Sequence, residues 1–240
     1  MTITTADAVP PADAAQRRAA RVVGFLYLLL MTTGIFAQII VPGSLPGDGA
    51  EPGRLADTAG QIVADARLFR LGAAVDLLTN AGDVALAVAY FVLLRPVSPA
   101  LAALGASWRV AQAAIIGGYS LTNIVVLQVL SGTAQTQALT QAQAAALAWV
   151  ATSAHTIGYS FGIVLMGLGS AVFSLLLFRS RYVPRPLAAL GVFASGLMTA
   201  GSLVLIVFPE AALVVNPGLY VPMFCFEVAT GLWLLIRGVR

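Results

Sequence analysis

The stretch from His155 to Pro186, HTIGYSFGIVLMGLGSAVFSLLLFRSRYVPRP, decides the fold. It holds the only histidine in the chain and a dense spacing of glycines. From Thr156 to Phe178 no residue is charged, a run long enough to cross a bilayer as one helix. The run stops at Arg179, Arg181 and Arg185, the kind of basic cluster that marks a cytoplasmic boundary. A chain organised around such a stretch is a membrane protein.

Composition extends that reading to the whole sequence. Of 240 residues, 59% are hydrophobic and 10% charged, and the mean hydropathy is +0.91. A soluble domain carries about 25% charged residues, so the bilayer must solvate most of this one. The net charge of +3 does not point to nucleic acid. There is no lysine, and the thirteen basic residues are arginines placed mainly at the ends of apolar runs, where they set orientation. Cys225 is the only cysteine, which rules out an intramolecular disulfide and a cysteine-cluster metal site. In its apolar run it reads as a small buried hydrophobe. No HExxH, GxSxG or Walker pattern occurs, so no metal and no cofactor is expected. Abundant alanine and an arginine-only basic set suggest a bacterial source, and the expected location is the cytoplasmic (inner) membrane.

Taken in order, residues 1–16 are polar and rich in Pro and Ala, and read as a disordered tail. Arg17, Arg18 and Arg21 precede a first span at about 22–41, too long and wrongly ended for a secretory signal. Residues 42–69 form an outer loop. Its PGSLPGDGAEPG segment is turn chemistry, and a short amphipathic helix follows over Arg54–Leu68, with Asp57 as its cap. Further spans are expected at about 71–94, 101–130, 150–178, 187–208 and 219–236. Nine arginines (Arg17, Arg18, Arg21, Arg95, Arg179, Arg181, Arg185, Arg237 and Arg240) then fall on one side. Three (Arg54, Arg67 and Arg70) fall on the other. The fold class is therefore all-α: a polytopic integral membrane protein of six transmembrane helices in one bundle, with both termini cytoplasmic.

Ionisable residues inside spans cost roughly 2.5–3.5 kcal/mol each on insertion scales, which makes them functional suspects. Measured from the cytoplasmic ends at about 1.5 Å per residue, Arg109 lies roughly 12 Å in, Glu227 roughly 14 Å and Asp83 roughly 17 Å. These three are expected to share one polar layer. Asp76, roughly 27 Å in, and His155, roughly 35 Å in, lie near the outer surface, where they form a candidate outer cluster with Tyr159 and Arg70. The stripe Asp76–Asn80–Asp83 runs down one helix face, and Arg109 with Gln112 makes a matching polar spot on the third helix. One reading is a structural ion pair that fixes helix register. The sharper one notes that two mid-membrane carboxylates face one arginine, as in a proton relay or a proton-coupled carrier. His155 alone reads as a satisfied polar residue. Gly158 with Gly162, and Gly167 with Gly169, read as close helix packing.

Several segments together resemble a known family. They are ARVVGFLYLL at Ala20–Leu29, LFRLGAAVDLLTNAGDVALAVAYFVLLRPV at Leu68–Val97, the His155–Gly191 stretch, and FEVATGLWLLIRG at Phe226–Gly238. Their combination is similar to the bacterial domain-of-unknown-function 4386 family, from Arg18 onward. The Ala/Gln-rich link before His155 departs from the pattern. The resemblance implies a polytopic membrane protein without an established activity. It points to Arg70, Asp76, Asp83, Arg109, His155, Tyr159 and Glu227 without giving any of them a role.

Three functions fit these residues. The first is a non-enzymatic structural or regulatory bundle, leaning away from an enzyme. The second is a small proton-coupled transporter using Asp83 and Glu227, with Arg109 as counter-charge. The third is an intramembrane enzyme with an outer-face site at His155 and Asp76. The partners expected are the lipid bilayer and an unidentified small ligand, with no nucleic acid; the sequence specifies no oligomeric state.

Overall fold

The computed structural model describes residues 12–37, 62–132, 138–211 and 218–239. Among them are six long helices: α1 (Ala14–Ile35), α2 (Ala66–Leu94), α3 (Pro99–Leu130), α4 (Gln141–Ser180), α5 (Arg185–Val207) and α6 (Val221–Ile236). Five of the six are long and apolar enough to cross a membrane, and α6 is a shorter apolar helix of 16 residues. No strand occurs among the described residues.

Local chemistry sets the helix boundaries. Ser98 accepts from the Leu101 amide and Pro99 takes the first helical position of α3. Thr140 and Gln143 form a capping box that starts α4 nine residues before position 150. At its other end α4 stops where Arg181 turns left-handed, at φ 58°, and Pro184 and Pro186 then frame the start of α5. At 40 residues α4 is roughly 60 Å long, about twice the hydrocarbon thickness. Its early turns are held by Ala148, buried in a small cluster with Ile62, Phe69, Val126 and Leu127. The helix runs unbroken through Gly158, where the ring of Tyr119 rests, and Gly162, which faces Ile116. Both glycines therefore serve packing.

Three expectations need correction. The tail does not extend to Gln16: Asp13 and Gln16 form a capping box and α1 begins at Ala14. The polar residues that looked like tail are the signal that satisfies the first amides of a helix. Residues 1–11 lie outside the described residues. Most of the loop at 42–69 does too, and where the described chain resumes Ile62 is fully buried and Ala66–Leu68 already belong to α2. Cys225 is exposed on the bundle surface, not buried, because it lies away from the inward face that Met223 and Phe226 take.

Each helix packs on the next in sequence, and α6 packs back on α1, so the six close into a ring. The closure is tight. A Cβ placed on Gly24 of α1 would lie 2.6 Å from the Gly231 carbonyl oxygen of α6, so only glycine lets these backbones meet. Polarity is distributed opposite to a soluble bundle. Asn80, Arg109, Gln112, Ser120, Ser195 and Thr230 are buried, while Phe25, Leu78, Phe161, Phe193 and Ile236 are exposed on five different helices. An outward apolar surface of this extent is one that lipid covers.

Candidate functional site

The ring surrounds a cavity of about 590 Å³ lined by residues from all six helices. Its polar wall comes mostly from α2, where Asp76, Thr79, Asn80 and Asp83 recur at helical spacing and so share one face. Thr79 bonds the Thr33 hydroxyl of α1 at 2.9 Å, and the Asn80 amide donates back to the Asp76 carbonyl at 2.8 Å.

Opposite, α3 presents Arg109, Gln112 and Ser120. Arg109 pairs with Asp83, their side chains being 4% and 15% exposed, and it is the ion pair found among the described residues. The Gln112 amide donates to the other Asp83 oxygen at 3.1 Å, so both carboxylate oxygens are engaged. Gly169 of α4 seats the arginine: a Cβ there would stand 2.9 Å from the Arg109 Cγ. Further along α3, the Ser120 hydroxyl contacts Asp76 and lies 3.0 Å from the Ile116 carbonyl.

Glu227 enters from α6 and lines the same cavity as Asp76 and Asp83. It makes no ion pair among the described residues. Three carboxylates therefore line the cavity, and Arg109, which is not itself among the lining residues, pairs with one of them. Among the described residues, no three His, Cys, Asp or Glu side chains converge as metal ligands would.

The remaining wall is apolar. Met31, Met166, Met198 and Met223 line it, which is every methionine of the chain except Met1. Tyr159, Tyr220 and Phe224 add aromatic surface. One acceptor and one donor beside Asp83 lack partners: Gln112 Oε1 and Arg109 Nη1 are buried without a hydrogen bond among the described residues.

Towards Arg95 and Arg237 four aromatic rings outside the cavity lining pack on one another. Tyr90 stacks on Phe173 with ring centroids 4.5 Å apart, and Tyr27 meets Tyr90 edge-on at 5.7 Å and Phe226 at 6.5 Å. Beyond them, the buried Gln16 amide donates to the Leu93 carbonyl at 3.2 Å and to the Tyr182 hydroxyl at 2.8 Å. The Trp233 indole donates to the Tyr182 carbonyl at 3.3 Å. Burial pushes the Tyr182 phenol above its ordinary value, so it stays protonated.

Of the expected layer of Asp83, Arg109 and Glu227, the first two form an ion pair and Glu227 is a second carboxylate lining the same cavity as Asp83. The expected outer cluster divides. Tyr159 lines the cavity with Asp76. His155 stacks on Tyr159 at 6.5 Å, and its Nδ1 lies 3.2 Å from the Tyr119 carbonyl and 3.4 Å from the Thr122 hydroxyl. Arg70 is exposed. Sequence reasoning missed Ser120 and Thr79, although each repeats the spacing of the polar faces already noticed. It also missed the methionines, which lie on four different helices and leave no periodic trace.

The chain belongs to the family described as a domain of unknown function (DUF4386), which it matches over residues 22–238. No curated protein and no solved structure matches it.

Proposed function

We propose that the chain crosses a bacterial cytoplasmic membrane six times, with both termini inside, and acts as a small proton-coupled carrier for a cationic solute. The nine-to-three placement of arginines supports that orientation. Helical residues 218–219 continue past a bend at Tyr220 into α6, which extends the sixth apolar segment to roughly 28 Å. The observation that carries the carrier reading is the cavity itself, which three carboxylates line inside a ring of six helices while only one of them, Asp83, is paired with an arginine among the described residues. Placing charge there is costly, and an excess of one sign is kept where an ion or proton must bind.

Hydrogen-bond arithmetic supports proton exchange. Ser120 has one hydroxyl hydrogen and two acceptors beside it, Asp76 and the Ile116 carbonyl. With the hydrogen on Asp76, the carboxylate is ionised. With it on the carbonyl, a protonated Asp76 donates to the serine oxygen instead. Either protonation state keeps the contact. A purely structural bundle accounts for Asp83 with Arg109 but gives no reason for Glu227 or for the cavity. A His155 enzyme has less support, since His155 bonds to α3 rather than lining the cavity.

The test is a reconstitution. Proteoliposomes containing a pH-reporting dye are challenged with sodium, potassium, ammonium and organic ammonium ions. We expect at least one cation to drive proton movement, and Asp83→Asn and Glu227→Gln, each checked for folding, to abolish it. Absence of flux with every cation, from acid to alkaline pH, would overturn the carrier reading.

A further inference from the structure

Which cation the cavity suits follows from what its polar atoms still lack. Asp83 is fully engaged by Arg109 and Gln112, and Asp76 is held by Ser120. Among the described residues three acceptors remain at the cavity: the second Asp76 oxygen, the Glu227 carboxylate, which has no ion pair, and Gln112 Oε1, on a side chain only 1% exposed; the buried Arg109 Nη1 is the one donor left beside them. Gln112 and Glu227 line the same cavity, opposite each other across the ring on α3 and α6. A buried carbonyl oxygen without a donor is costly, by as much as the hydrogen bond it lacks. With two of the three acceptors belonging to carboxylates, a hydrogen-bond donor bearing positive charge suits this lining best.

The rest of the wall describes the body that carries this charge. Four internal methionines converge on one cavity from α1, α4, α5 and α6. Methionine is unbranched, polarizable and able to re-pack, and it suits surfaces that accept apolar groups of varied shape. Tyr159, Tyr220 and Phe224 supply ring faces that attract both apolar groups and cations. A volume of about 590 Å³ is that of a site for a small organic molecule, far beyond what a bare ion needs.

We propose that the cavity binds a protonated amine on an apolar or aromatic body, with its ammonium on Glu227 and Gln112 Oε1 and its body against the methionines. The assignment rests on the carrier reading only for what happens after binding.

The test is direct binding to the purified full-length protein in detergent, by calorimetry, with 2-phenylethylammonium as the probe. Its comparators are 2-phenylethanol, which lacks the charge, and a phenyl-bearing quaternary ammonium, which keeps the charge but has no N–H donor. We expect saturable one-to-one binding of the primary ammonium, with both comparators roughly tenfold weaker or more. Glu227→Gln should weaken the probe by a similar factor, as should Gln112→Met, which keeps the volume but removes Oε1. Gln16→Leu, which alters a buried residue outside the cavity lining, should leave the affinity within about twofold. Equal binding of the alcohol, or of the quaternary ion, would overturn the assignment. So would silver ions bound tightly at the methionines and not displaced by the probe. Binding without flux would retain the ligand class and remove the carrier; flux of an inorganic cation without probe binding would do the reverse.

Discussion

The two halves of the bundle treat their polar groups differently. Towards Arg95, Arg181 and Arg237, Gln16 links the first helix to the second through Leu93 and to the turn after the fourth through Tyr182, and Trp233 ties the sixth to the same tyrosine. Every polar partner in that knot comes from a different segment, and a layer of packed aromatic rings lies beside it. In the other half, three carboxylates line one cavity, and among the described residues Glu227 has no ion pair and Gln112 Oε1 and Arg109 Nη1 stand without hydrogen-bond partners. The first arrangement is what holds a fold together. The second is what a fold must tolerate in order to bind something, since unpaired polar groups in low dielectric cost stability.

The sharpest way to break that contrast lies at its border, the buried Arg109–Asp83 pair. Removing one partner strands the other charge. Arg109→Gln should cost about 3 kcal/mol in reversible unfolding in micelles, and adding Asp83→Asn should recover about half of it. If the single variant unfolds like wild type, the pair belongs with the binding half rather than with the scaffold.

A smaller effect is expected inside the knot. Gln16→Leu removes two buried hydrogen bonds and the Gln16 half of the α1 capping box, and should cost about 2 kcal/mol by the same measurement. It should leave proton flux unchanged, because Gln16 lies outside the cavity lining. A variant of normal stability but altered flux would show that the knot is a gate.

The bundle was legible because its signal is length: apolar runs bounded by arginine and proline need no packing information. The helix starts were less so. At Asp13 and Gln16, and again at Thr140 and Gln143, polarity is the capping signal itself, and hydropathy takes it for the end of the span. Depth along a helix axis is also readable by counting from an arginine, which is how Asp83, Arg109 and Glu227 could be placed in one layer. Rotation about the axis is not fixed by counting between helices. Asp76 and His155 both lie towards the same end, yet Asp76 meets Ser120 while His155 meets Tyr119 and Thr122. The methionine wall depends on the ring closure of six helices, and nothing local in the sequence encodes it.

The smallest effect on stability should come from the residue whose role is most functional. Glu227→Gln preserves shape and removes one charge that has no ion-pair partner among the described residues. A carboxylate kept against its desolvation cost should be released from that cost by the amide, so the variant should unfold within about 0.5 kcal/mol of wild type, or later. Proton flux should nonetheless be lost. Opposite signs for stability and activity are the signature of a group retained for function, and the same substitution read both ways separates the two halves. If Glu227→Gln instead destabilises as strongly as Arg109→Gln, then Glu227 is a member of the Arg109 pair in all but distance. The cavity would then be part of the scaffold, and the contrast between the halves would disappear.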